Sequence, residues 1–92
     1  MEQPQALLAL AALGQPLRMQ VYRLLAGQGA GGMSAGNIAE RLGVAPSSLS
    51  FHLTNLVEAG LITQTRAGRQ LIYAAVPGAV RDLRQYLGGL TR

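Results

Sequence analysis

Apolar residues recur along the chain with two different periods. From Pro4 to Leu13 almost every position is Ala or Leu, which predicts a helix without a polar face, and such a helix needs cover on more than one side. A partner subunit would supply that cover; alternatively the helix lies across the domain and leaves a few alanines in water. Gly14 ends this helix and Pro16 suits the first position of the next, in which Leu17, Val21, Leu24 and Leu25 form a stripe at i, i+4, i+7 and i+8. Arg18 and Arg23 fall off that stripe. They read as solvated, with Arg18 within reach of a phosphate if this helix ends near a duplex. Gln28 to Gly32 holds three glycines in five residues and predicts a flexible connection.

The next stretch, SAGNIAERLGVAPSSLSFHLTNLVEAG from Ser34 to Gly60, organises the chain. Ile38, Ala39 and Leu42 make one apolar stripe, with Ser34 as N-cap and Gly43 as a left-handed stop. Pro46 opens a second helix and Gly60 ends it. Leu49, Leu53, Leu56 and Val57 share one face of that helix, opposite Ser47, Ser48, Ser50, Phe51, Thr54 and Asn55. Two short helices joined by a tight turn are a helix-turn-helix. A helix built only for packing usually carries Glu and Lys on its wet side. Small hydroxyls and an amide instead approach phosphates and base edges closely, and a helix N-terminus favours an anion. This is the expected recognition helix.

Beyond Gly60 the period changes to two. LITQT and QLIYAAV, separated by Arg66, Ala67, Gly68 and Arg69, predict a β-hairpin with a cationic tip. Placed directly after a recognition helix, such a hairpin is the wing of a winged helix. Arg66 and Arg69 then lie along the DNA backbone or enter the minor groove; the plainer role is to keep a hairpin tip soluble. After Pro77 and Gly78, the residues Val80, Leu83, Tyr86, Leu87 and Leu90 trace a last amphipathic helix. This helix and the first are the spare apolar surfaces, and together they form the expected dimer interface.

Length and charge narrow the function. Ninety-two residues correspond to one domain spanning 1–92. All eight basic residues are Arg, the net charge is +4, and attraction to polyanions follows, nucleic acid first among them. The chain has no Cys and a single His, so disulfides, thiol chemistry and a Cys metal site are excluded, and His52 alone cannot build a zinc site that needs about three or four ligands. No metal and no cofactor are expected. One His and four scattered carboxylates offer no nucleophile with its base, and the glycines between Gly27 and Gly32 do not follow a strand as a phosphate-binding loop would. No enzymatic activity is expected. Without a signal-peptide pattern or an apolar run near the ~18 residues that span a bilayer, the expected location is cytoplasmic.

The order and spacing of ALGQPLRMQVYRLL (Ala12 to Leu25), the helix-turn-helix, SFHLTNLVEAGLI (Ser50 to Ile62) and RAGRQLIY (Arg66 to Tyr73) resemble the ArsR/SmtB family of small bacterial winged-helix repressors, from Leu10 to Leu90. The resemblance implies a mainly α fold with a small β-hairpin, dimeric through the first and last helices. Its implied function is that of a homodimeric repressor of a near-palindromic operator, released by an inducer. The other reading is a winged-helix adaptor for protein contact, without operator specificity. Expected DNA-binding residues are Ser47, Ser48, Ser50, Phe51, His52, Asn55, Arg66 and Arg69. Those of the dimer interface are Leu7, Leu10, Leu83, Leu87 and Leu90. Phe51 stands where the family more often has a polar or basic residue, and either contacts a thymine methyl or shields the helix. The family's arsenite-binding cysteines match Ser34 and Gly36 here, neither of which can bind arsenic, and the zinc-type last helix is represented only by Asp82. Some members carry cysteine ligands just after the position matching Leu90; either the natural chain continues past Arg92 to such ligands, or metalloid sensing has been lost.

Overall fold

The computed structural model describes residues 1–91. Its helices are α1 (Gln3–Leu13), α2 (Pro16–Gln28), α3 (Ala35–Leu42), α4 (Pro46–Glu58) and α5 (Ala79–Gly89), and its strands β1 (Met33–Ser34), β2 (Ile62–Ala67) and β3 (Gln70–Ala75). The strands form one antiparallel sheet in the order β1-β3-β2. The expected hairpin is therefore two-thirds of a three-stranded sheet. Its extra strand, with Met33 opposite Tyr73 and Ser34 opposite Ile72, precedes the helix-turn-helix, so β3 holds the segment that enters that motif on one edge and the segment that leaves it on the other.

The two helices of the helix-turn-helix, α3 and α4, end in the same way. At the end of α3 the amide of Val44 donates to Ala39 O and that of Gly43 to Glu40 O; at the end of α4 the amides of Leu61 and Gly60 donate to Leu56 O and Val57 O. These paired bonds satisfy carbonyls the helix leaves open and require a left-handed residue, which Gly43 supplies at φ 68°. The Ser34 Oγ accepts from the Asn37 amide at 3.2 Å, the expected N-cap. Pro46 sits at the start of α4, where its missing N–H leaves no gap in the ladder.

The stretch from Gln28 to Gly32 is ordered rather than a flexible connection. It closes α2, makes a single 3₁₀ turn over Gly29–Gly31 and enters β1. Gly32 lies at φ 65°, and a Cβ there would strike the carbonyl oxygen of Tyr73 on β3. Only glycine allows the sheet to close at that point.

Val21, Leu25, Ile38, Leu49, Leu53, Leu56, Leu61, Ile62, Tyr73 and Leu83 form the centre of the core, and among the described residues no polar or charged side chain is buried. Each buried leucine contributes roughly 1.5–3 kcal/mol relative to exposure. Helix α1 packs on α2, α4 and α5, and it does so with its small residues. Ala6, Ala9 and Ala12 are buried, while Leu7 and Leu8 are 56% and 55% exposed and Leu10 also faces out. The absence of a polar face conceals two apolar faces of different size, one fitted to the protomer and one left open.

Leu83 departs from the expectation that placed it in the dimer interface. It is 5% exposed and belongs to the protomer's own core. Val80 and Leu87 are the exposed apolar residues of α5, and Leu90 lies just past its end. No helix among the described residues is long and apolar enough to cross a membrane.

Candidate nucleic-acid interface

Helix α4 divides cleanly. Leu49, Leu53 and Leu56 are buried beneath it, Ser47, Ser48, Ser50, Phe51 and Thr54 are exposed, and His52 and Asn55 are half-buried at the margins. Phe51 is 70% exposed, the most open of the chain's large apolar side chains. A phenyl ring this open, on a helix whose opposite face is packed, is an exposed apolar feature of the kind found at binding surfaces. The Phe51 ring and that of His52 meet edge to face, 5.8 Å between centroids.

His52 is anchored rather than free. The Arg18 guanidinium lies 3.1 Å from its Nδ1, and the same side chain donates from Nε to Ala12 O at 2.8 Å and from Nη2 to Ala11 O at 3.4 Å. Arg18 therefore is not the solvated side chain expected from its place off the stripe of α2. It joins the end of α1 to the middle of α4, and its backbone amide is taken by Gln15 Oε1 at 2.9 Å. Thirty-four residues separate Arg18 from His52, so no local pattern could have shown the contact.

The wing is a two-stranded ribbon in which every residue of β2 after Ile62 is exposed. Ala67 pairs with Gln70, which leaves Gly68 and Arg69 as the turn. Gly68 has φ 64° and, among the described residues, no non-glycine residue has positive φ, the φ pattern of a type II′ hairpin turn. Arg69 is thus at the tip, and Arg66 lies one step inside it on β2, opposite Leu71. The ribbon is stiffened by a 2.7 Å bond from Gln64 Nε2 to the Tyr73 hydroxyl. Arg69 and Ser34 line one shallow depression, because pairing of β1 with β3 carries the wing past the start of α3. The α4 residues share a single helix, while the wing arginines stand on a separate arm joined to it through Leu61, whose carbonyl accepts from the Val76 amide at 2.9 Å.

Arg23 and Arg41 are exposed and line one open depression between α2 and α3. Among the described residues, no three His, Cys, Asp or Glu side chains are grouped to hold a metal ion. A cavity of about 330 Å³ lies between the end of α2 and the start of α5, lined by Tyr22, Leu25, Ala26, Val76 and Pro77. Partial burial there raises the Tyr22 phenol above its ordinary value.

A helix-turn-helix with an open hydroxyl-bearing face, followed by a cationic β-ribbon, defines a winged-helix DNA-binding protein. Residues 13–65 match the family described as a helix-turn-helix domain. The chain is 34% identical over 71 residues to the transcriptional repressor SdpR of Bacillus subtilis (strain 168), an alignment that covers 77% of this chain and 76% of that protein. In three dimensions it is similar to an ArsR-like transcriptional regulator from Rhodococcus sp. RHA1, with a TM-score of 0.83, 24% identity, and coverage of 95% and 79% of the two chains. It is also similar to the homodimeric winged helix-turn-helix DNA-binding domain Mb0332 of Mycobacterium bovis, with a TM-score of 0.75, 25% identity, and coverage of 95% and 78%. The chain belongs to the ArsR/SmtB family of winged-helix transcriptional regulators. It is a DNA-binding regulator, and its family and fold are those of regulators rather than enzymes.

Proposed function

We propose that the protein acts as a homodimeric repressor that binds a near-palindromic operator and is released by an inducer. The observation that carries this reading is the open face of α4, where Ser47, Ser48, Ser50, Phe51 and Thr54 remain exposed while three leucines beneath them are buried. Ser47, Ser48, Ser50, Phe51, His52 and Asn55 read the major groove. Arg66 and Arg69 contact the backbone from the wing and add affinity that does not depend on sequence.

Dimerisation supplies the second reading helix. Leu7 and Leu10 of α1, with Leu87 and Leu90 at the end of the chain's last helix, are exposed large apolar residues, and a second copy covers them. The homodimeric state of the Mycobacterium bovis domain supports this assembly, as the repressor activity of SdpR supports repression. A dimer of this kind addresses half-sites about one turn of duplex apart, ~34 Å. The cavity against Tyr22, about 330 Å³, falls at the lower end of the ~300–1,000 Å³ usual for ligand pockets and is the candidate site for a small-molecule inducer, the other class of inducer being a metalloid.

Recovery of genomic fragments bound by the purified protein, followed by competition with random duplex at physiological salt, tests the reading. A repressor prefers its recovered operator by roughly 10³-fold or more. Equal, weak binding to both would leave an adaptor for protein contact and end the proposal.

A further inference from the structure

We propose that Arg18 is a positioning residue for DNA readout: it fixes His52 as the tautomer protonated on Nε2, so that the ring meets the duplex as a hydrogen-bond donor. This inference rests on the reading of α4 as the DNA-facing helix. Its physical basis is the one-sided chemistry of the guanidinium, which has five N–H donors and no acceptor. Where Arg18 Nη1 approaches His52 Nδ1 at 3.1 Å, the ring nitrogen must accept, and the neutral imidazole then carries its proton on Nε2.

The orientation of Arg18 is itself fixed. Its Nε is held by Ala12 O at 2.8 Å and its Nη2 reaches Ala11 O at 3.4 Å, carbonyls in the last turn of α1 that have no partner within the helix. The planar fork thus spans two carbonyls and one imidazole, a pattern that a lysine ammonium with tetrahedral donors cannot reproduce. A ring locked as an Nε2–H donor favours phosphate oxygens, guanine N7 or O6, adenine N7 and thymine O4. It disfavours the amino groups of cytosine and adenine. A ring free to change tautomer would accept from those amino groups as readily. The arginine on α2 therefore sets what the histidine on α4 can recognise, without touching DNA.

A plain helix-capping role for Arg18 would affect stability and leave the tautomer alone, which separates the two. His52 is the only histidine in the chain, so the ring ¹⁵N signals of the labelled 92-residue chain, recorded in mildly alkaline buffer, belong to one residue. In the wild type Nδ1 should resonate as an unprotonated acceptor and Nε2 as the protonated nitrogen. In Arg18→Lys, which keeps the charge, the signals should move toward a mixture of tautomers, and operator affinity should fall by about tenfold, the scale of one base contact. Affinity for random duplex and the dimer mass should be unchanged. In a His52→Asn background the same Arg18→Lys change should add little further loss.

Three results would overturn the assignment: a wild-type ring protonated on Nδ1 or already mixed, full retention of tautomer and operator preference in Arg18→Lys, or an equal loss on operator and random DNA, which would make Arg18 a phosphate contact. The wild-type spectrum decides the matter even if Arg18→Lys does not fold. A wild-type protein without operator preference would remove the repressor reading, while the free-protein spectrum would still judge the Arg18–His52 relationship.

Discussion

Leu83 and Leu87 stand one helical turn apart on α5 and belong to different surfaces: Leu83 is 5% exposed and sits in the protomer's core, whereas Leu87 is 36% exposed. Their substitution should therefore have separable effects. Leu83→Ala leaves a cavity and should cost ~2–5 kcal/mol of folding stability, read as a lower denaturation midpoint. Leu87→Glu should leave the circular dichroism spectrum unchanged, convert the protein to monomers in sedimentation, and abolish tight operator binding. Dimers that persist in Leu87→Glu would move the seam away from α5.

The contact between Gly32 and the Tyr73 carbonyl makes a second site diagnostic. Gly32→Ala must both adopt a positive φ and displace strand β3. The expected loss is ~1–3 kcal/mol for the backbone strain alone, measured by urea denaturation. Gly31→Ala, where an added Cβ meets nothing within 4 Å, is the control and should be close to neutral. Equal stability of the two variants would show that the edge pairing of β1 with β3 does not constrain Gly32.

Salt dependence reports on the wing. Each phosphate neutralised contributes ~0.9 to the slope of log affinity against log salt, so Arg66→Ala and Arg69→Ala should each flatten the slope by nearly one unit on operator and random DNA alike. An unchanged slope would place the ribbon off the duplex.

Readout by α4 can be separated from binding. Ser50→Leu introduces bulk at an exposed position, so folding and dimer mass should be retained while preference for the operator disappears. Phe51→Ala should give a smaller loss confined to sites with thymine opposite the ring, since a methyl contact is weaker than a bidentate pair worth ~1–3 kcal/mol. Mobility-shift titrations with base-substituted operators provide the measurement, and uniform losses at every substituted base would take Phe51 out of the readout.

The parts of this molecule legible in its sequence are those governed by local chemistry. Ser34, Gly43, Pro46 and Gly60 act within a few residues of themselves, and the helix ends they predict are where they fall. The faces of α4 were equally readable, because leucine and serine differ enough for the 3.6-residue period to sort them. Helix α1 was harder: alanine and leucine are both apolar, and the signal lay in size, with Ala6, Ala9 and Ala12 falling on the packed side. Leu83 and Leu87 share one apolar stripe, and periodicity does not say where on that stripe the protomer ends and a partner begins. Strand β1 is two residues long and exists because β3 offers an open edge. The bond between Arg18 and His52 depends on the packing of helices far apart in sequence.

Since β3 grips the chain both where it enters the helix-turn-helix, at Ser34 opposite Ile72, and where it leaves, at Ile62 opposite Ala75, those two points are held on either side of a single strand, about 10 Å apart across the sheet and about 10 Å apart along it at ordinary strand dimensions. The reading unit is in effect a cassette plugged into a fixed socket. Its outward residues can be exchanged for another set without disturbing the frame, a geometry that lets one scaffold acquire new binding sites in evolution or by grafting.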